Sequence, residues 1–115
     1  MTKTIFLIAI CILATQCSTQ KKVEYNIPPD VGEPNRSLLV QRFEKGKILY
    51  KIHCSDCHGI YTKGKDSVPN FTKQQIDNYT AIALADPVNH TVIKKISSEQ
   101  LDYILTFLRL KKKGT

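Results

Sequence analysis

Residues 54–58 read Cys54-Ser55-Asp56-Cys57-His58, a C-x-x-C-H run that constrains this chain more than any other stretch. Two thiols three positions apart sit on one helical turn. They can add to the two vinyl groups of a single haem, each S–H going across one C=C to leave a thioether. The His after the second thiol then lies under the porphyrin and can bind the iron as proximal ligand. Cys54, Cys57 and His58 are therefore the expected attachment residues of one covalent haem c. Other chemistries also use paired cysteines. A thioredoxin-like redox site needs a βαβ setting, and no strand pattern occurs here. Structural zinc needs four ligands, usually with a second Cys or His pair. The remaining cysteines, Cys11 and Cys17, lie in or at the end of an apolar N-terminal run. A disulfide across two intervening residues would be strained and would close a trivial loop. Zinc and thiol redox chemistry stand as the alternatives to haem.

The 115 residues suffice for one domain. Seventeen Lys and Arg against ten Asp and Glu give a formal charge of +7, which favours an acidic protein face or an anionic membrane surface as partner. Nucleic acid is not expected: the lysines are spread along the chain, and no nucleic-acid-binding motif is present.

The N-terminus reads as an export signal over residues 1–16. Lys3 supplies a positive start, and Ile5 to Ala14 form an apolar run of ten, which fits a signal core and is short for a membrane span. An uncleaved anchor is the competing reading. Cys17 and Ser18 follow, and with Ala14 and Thr15 this resembles a bacterial lipoprotein lipobox. The resemblance implies Cys17 as the lipidated mature N-terminus, although Gln16 departs from the small residue usual before that Cys. Ordinary cleavage to a soluble product is the alternative. Residues 17–36 read as a flexible linker, because Pro28-Pro29, Gly32 and Pro34 deny a helix. Lys21-Lys22 lie where they can meet anionic head groups.

The first helix is expected from Ser37, as its cap, to Ile52. Leu39, Phe43, Gly46 and Tyr50 share one face. Glu44-Lys45-Gly46-Lys47-Ile48-Leu49-Tyr50, then three residues, then the C-x-x-C-H run, resembles the N-terminal helix and haem motif of class I cytochromes c. The resemblance covers roughly residues 37–110. It implies an all-α cytochrome c fold, with three to four helices around one covalent haem c in a domain spanning 37–115. In that family the helix Gly and the aromatic four residues later pack crosswise on the C-terminal helix; Gly46 and Tyr50 match them, and Ile104 and Phe107 take the matching places near the C-terminus. Haem attachment in the family takes place outside the cytoplasm, which agrees with export to the periplasmic side.

Beyond the motif, Gly59 to Ser67 reads as a loop. The family carries a Pro about a dozen residues past the haem His, whose carbonyl accepts from the other imidazole nitrogen. The resemblance gives that role to Pro69; the alternative is an ordinary loop proline. Thr72 and Gln75 fit a capping box, with a helix from Lys73 to about Ala85 and a stripe of Ile76, Tyr79, Ile82 and Ala83. Asp86-Pro87 ends it. Ser97 and Gln100 fit a second capping box, and Leu101, Ile104, Leu105 and Leu108 make the stripe of the last helix. Lys111 to Lys113 then stand where the helix dipole favours cations.

Most class I cytochromes place a Met on the far side of the iron, in the loop before the last helix. Here the only Met is Met1. The loop holds Asn89-His90-Thr91-Val92 instead, so His90 is the expected distal ligand. His53, Lys94, Asn89 or an open site are the alternatives. Met/His ligation raises the potential, so His/His ligation predicts a lower one.

These readings converge on one-electron transfer in a membrane-associated chain, with redox proteins bearing acidic docking faces as partners and Cys17 as the membrane anchor. The chain is expected to be a carrier or electron-transfer subunit and not an enzyme. The alternative is a haem-based gas sensor or small peroxidase with an open or labile sixth site. The stretch 37–110 is small for an independent core, and a covalent apolar disc would supply missing buried surface. A Cys54→Ala, Cys57→Ala double variant should therefore lose most of its helicity by circular dichroism; native helicity in that variant contradicts the expectation.

Overall fold

The computed structural model describes residues 25–62 and 65–112. The signal segment, Cys11, Cys17, Lys21-Lys22 and Lys113 lie outside the described residues, as do the expectations attached to them. Among the described residues the chain is mainly helical, and no helix is long and apolar enough to cross a membrane.

Helix α1 spans Asn35–His53, 19 residues, and α5 spans Ser98–Leu110, 13 residues. Between them run a short α2 (Ser55–His58), strands β1 (Tyr61–Thr62) and β2 (Lys65–Asp66), helices α3 (Lys73–Asp77) and α4 (Tyr79–Ala85), and a 3-10 turn at Thr91–Lys94. The sequence reading expected no strands. β1 and β2 nevertheless pair antiparallel, with Tyr61 opposite Asp66 and Thr62 opposite Lys65. A two-residue strand is too short to show alternation, so periodicity cannot reveal it.

The core is the seam between α1 and α5. Phe43, Gly46 and Tyr50 are the buried residues of α1, and Ile104, Thr106 and Phe107 those of α5. Gly46 sets the distance. A Cβ built there would lie 1.8 Å from the Tyr103 carbonyl oxygen and 2.9 Å from Phe107 Cβ, so only hydrogen fits between the two backbones. That close approach lets Phe107 reach Phe43 and Tyr50, each at 5.3 Å between ring centroids, while Tyr61 meets it edge-on at 5.1 Å. Each such ring pair adds about 0.5–1.5 kcal/mol beyond its buried area. At the seam's edge Arg42 pairs with Asp102 at 2.5 Å; both groups are about half exposed, so the pair registers the helices more than it stabilises them.

Three details differ from the sequence reading. Ser37 does not cap α1: the cap position is Pro34, and the Ser37 hydroxyl donates to Glu33 at 2.5 Å from inside the helix. The 73–85 helix breaks at Asn78, which leaves helical geometry at φ −99°, ψ 12°. Asn is an indifferent helix former whose side chain competes for backbone groups. Lys111 is not a solvated cation at a helix end. Its side chain is 4% exposed and its ammonium pairs with Asp66 at 2.9 Å, while its amide closes α5 by donating to the Phe107 carbonyl. Both predicted capping boxes are formed, at Thr72 with Gln75 and at Ser97 with Gln100.

Packed structure also begins before residue 37. Tyr25 bridges Lys111 in an antiparallel pair, the Asn26 amide donates to Leu110 at 2.7 Å, and the Tyr25 ring meets Phe43 edge-on. Ile27 is buried. This strap ties the segment before α1 to the far end of α5.

Because the Gly46 contact is backbone against backbone, a methyl group there has nowhere to go. Gly46→Ala should cost about 3 kcal/mol or prevent folding, at the upper end of overpacking effects. Chemical denaturation of the purified protein would measure it; a change below about 1 kcal/mol would mean that the seam relaxes freely.

Candidate functional site

The C-x-x-C-H run closes a single tight turn immediately after α1. Cys54 breaks the long helix at φ −123°, ψ −28°. Its carbonyl then accepts the amides of Cys57 at 3.3 Å and His58 at 3.0 Å. Residues four apart on such a turn share a face, so Cys54 and His58 both line the same cleft. Cys57 is exposed beside them, and neither thiol is engaged in a disulfide. Gly59 then redirects the chain at φ +107°, a conformation side chains resist, and a Cβ there would lie 2.3 Å from the Ser67 carbonyl oxygen. The Gly59 carbonyl accepts from the Tyr50 hydroxyl at 2.9 Å. This bond ties the turn back to the α1–α5 core.

The cleft opens beneath this turn. Its walls come from α3, α4, the 3-10 turn and α5, through Ile76, Ile82, Val92, Leu101, Leu105 and Leu108. The space between these walls and the open mouth, solvent included, is about 810 Å³. The last helix therefore has two apolar jobs. Phe107 is fully buried against α1, while Leu101, Leu105 and Leu108 stay only partly buried and face the cleft. The stripe read from the sequence is split between the core and the site.

Two imidazoles face each other across this apolar space. The ring centroids of His58 and His90 are 6.3 Å apart, with planes 22° from parallel. Phe71 flanks His58 edge-on at 5.5 Å, and Tyr79 flanks His90 edge-on at 5.7 Å. His90 is 18% exposed, and its Nδ1 lies 3.3 Å from the Asp86 carbonyl oxygen. A carbonyl only accepts, so Nδ1 carries the proton in that bond and Nε2 is left with a free lone pair. No hydrogen bond from the His58 ring is present among the described residues. The Pro69 carbonyl accepts the Phe71 amide at 2.9 Å. His53, Asn89 and Lys94 are not among the residues lining the cleft.

The separation of the two rings tests what fits between them. A metal–imidazole bond is about 2.0–2.1 Å, and a ring nitrogen lies roughly 1.1–1.2 Å from its centroid. Two imidazoles on opposite sides of one metal, each with a nitrogen aimed at it, have centroids about 6.2–6.6 Å apart. The observed centroid separation of 6.3 Å, between near-parallel stacked rings, is of that length. Among the described residues no cluster of three or more His, Cys, Asp and Glu converges on a metal. The chain thus offers two nitrogen donors in an apolar cleft. That set is incomplete for a structural zinc site but suits a metal whose remaining ligands come from a flat apolar macrocycle.

Burial raises the proton affinity of the groups around the cleft. The Cys54 thiol is pushed up to about 11, by burial first and by the neighbouring Cys57 second. Tyr79 rises for the same main reason. Tyr50 is raised well above its usual 10, chiefly by burial. On the rim Asp86 is lowered by its hydrogen bonds from Asn89. A neighbouring hollow shares Phe71, Ile76 and Leu108 with the cleft and carries Lys73, Arg109 and Lys111. Asp77 pairs with Lys73 and Arg109, and Asp66 with Lys111.

Sequence reasoning missed Tyr79 and Phe71 as neighbours of the imidazoles, and Asp86 as the partner of His90 Nδ1. Asp86 followed by Pro87 signals a helix end, and only the turn after it brings the Asp86 carbonyl to His90. Comparison with protein-family models, curated proteins and solved structures finds no match to this chain.

The raised Tyr50 phenol gives a signed pH dependence. Below pH 10 the phenol is neutral in both folded and unfolded chains. Above it the unfolded chain releases that proton while the folded chain holds it, so stability falls as pH rises. The unfolding free energy should therefore drop more steeply above pH 10 than that of Tyr50→Phe, by up to about 1.4 kcal/mol per pH unit. Urea titrations of both proteins from pH 9 to 12 would measure it, and parallel curves would remove Tyr50 as the source.

Proposed function

We propose that this chain is an exported mono-haem c-type electron-transfer protein of the class I kind, with a cytochrome c fold and bis-His iron. The observation that carries this reading is the pair of imidazoles, His58 and His90, set 6.3 Å apart across an apolar cleft, with His58 directly following the C-x-x-C pair. Cys54 and Cys57 would hold the haem through thioethers, and His58 and His90 would be its two iron ligands from the chain. When bound, the haem would supply a one-electron iron couple. The chain's own residues would wrap that group, exclude water from it and hold both imidazoles in place. Ile76, Leu101, Leu105 and Leu108 give the apolar contact, and the Asp86 carbonyl fixes the tautomer of His90 and raises its basicity.

Bis-His ligation places the potential below that of Met/His relatives, other factors equal. The cleft offers little for bond-making chemistry: Gln75, Tyr79 and His90 are its polar side chains besides Cys54, His58 and Tyr50. That favours a carrier or electron-transfer subunit over a peroxidase. The net charge of +7 suits partners with acidic docking faces, in encounters that weaken with salt. Lipidation of Cys17 would hold the domain at the periplasmic side of a membrane.

Absorption spectra of the holoprotein, oxidised and reduced, with and without carbon monoxide, test the reading beside His90→Ala. Wild type should be low-spin, lack the weak far-red band of Met-sulfur ligation and bind carbon monoxide only slowly, as His90 comes off. The variant should turn high-spin and bind the gas. A wild type that is high-spin and binds carbon monoxide at once refutes the six-coordinate assignment and moves gas sensing or peroxide chemistry to the front.

A further inference from the structure

The cleft says where His90 lies, but a histidine in a loop still has two side-chain torsions to fix. The residue that fixes them sits four positions earlier. Asp86 ends α4, because the following Pro87 excludes the helical conformation. Its carbonyl accepts both the His90 amide, at 3.1 Å, and the His90 Nδ1–H, at 3.3 Å. Its carboxylate accepts from Asn89: Oδ1 takes the backbone amide at 3.5 Å and Nδ2–H at 3.2 Å, and Oδ2 takes Nδ2–H at 3.0 Å. Oδ2 also lies 3.8 Å from His90 Nδ1. One residue thus closes the turn from both sides, by main chain on the imidazole and by side chain on Asn89.

Resting on the bis-His reading above, we infer that Asp86 and Asn89 are positioning residues for His90, a clamp that keeps its Nε2 available to the cleft and sets how firmly it stays on the iron. The Asn89 bonds hold the Asp86–His90 turn closed, and the closed turn keeps the carbonyl on Nδ1. Tyr79 blocks the ring edge-on from another side. If the Asn89 bonds are lost, the turn opens, Nδ1 loses its acceptor and the imidazole gains rotational freedom. Neither clamp side chain is part of the buried core: Asn89 is exposed, and the Asp86 side chain is 46% exposed. Their removal leaves no cavity, so stability should change little while the ligand loosens.

The test uses the holoprotein and carbon monoxide. The gas reaches the distal position only while His90 is away, so the observed binding rate scales with the fraction of time the imidazole is off. Asp86→Ala and Asn89→Ala should each speed carbon monoxide binding by about tenfold or more, the usual size of effects on groups that orient a metal ligand. Their thermal midpoints should stay near wild type. Asp86→Asn, which retains an oxygen acceptor for Asn89, should keep a rate close to wild type. His90→Ala sets the upper limit. If His90→Ala binds the gas fast while Asp86→Ala and Asn89→Ala match wild type, the clamp is refuted and the bis-His reading stands. If His90→Ala binds no faster than wild type, His90 is not the distal ligand, and the reading and the clamp both fall.

Discussion

Everything in this molecule hangs on the place where α1 and α5 touch without a side chain between them. Gly46 lets the Tyr103 carbonyl come within the space a methyl group would fill. From that contact Phe107 is driven into the gap between Phe43 and Tyr50, and all three rings become fully or almost fully buried. An aromatic cluster of this kind contributes about 1.5–3 kcal/mol per ring, which is large in a chain of this length. It also fixes the direction in which α1 ends, and the end of α1 is where the C-x-x-C-H turn begins. Tyr50 carries the coupling further through its hydroxyl bond to Gly59, so core and site share a residue.

The cleft follows from the same geometry. With Phe107 committed to α1, Leu101 and Leu105 on the other side of α5 face the cleft, and Leu108 lies between it and the core. Helix α3 meets α5 where Asp77 pairs with Arg109, and the break at Asn78 lets Ile76 and Tyr79 line the same wall. An apolar cleft with two facing imidazoles is costly to leave in water, because its walls forgo burial on one side. A flat apolar group between the rings would satisfy the walls and both nitrogens together. The proposed haem would bury these walls as well as supply an iron couple.

Sequence and structure agree where a local rule was strong. Thr72-Gln75 and Ser97-Gln100 form the capping boxes their spacing announced, and Gly46, Tyr50, Ile104 and Phe107 meet at the seam. The disagreements are instructive. Lys111 looked like one of three cations trailing a helix, and its burial against Asp66, forty-five residues away, depends on where the hairpin lands. Tyr25 to Ile27 looked like linker, yet the end of α5 offers backbone partners that only the folded chain presents.

The sequence by itself determined the Cys54–His58 turn, the two capping boxes, and the glycine and aromatic of the seam. These are properties of residue type and short spacing, governed by bonds within a few residues. Only the tertiary structure decided that His58 and His90 stand 6.3 Å apart, that Asp86 holds the second of them, and that the stripe of α5 divides between core and cleft. His58 and His90 lie more than thirty residues apart in the chain. Their separation in space is set by how α1, α4 and α5 pack, and no local pattern encodes that.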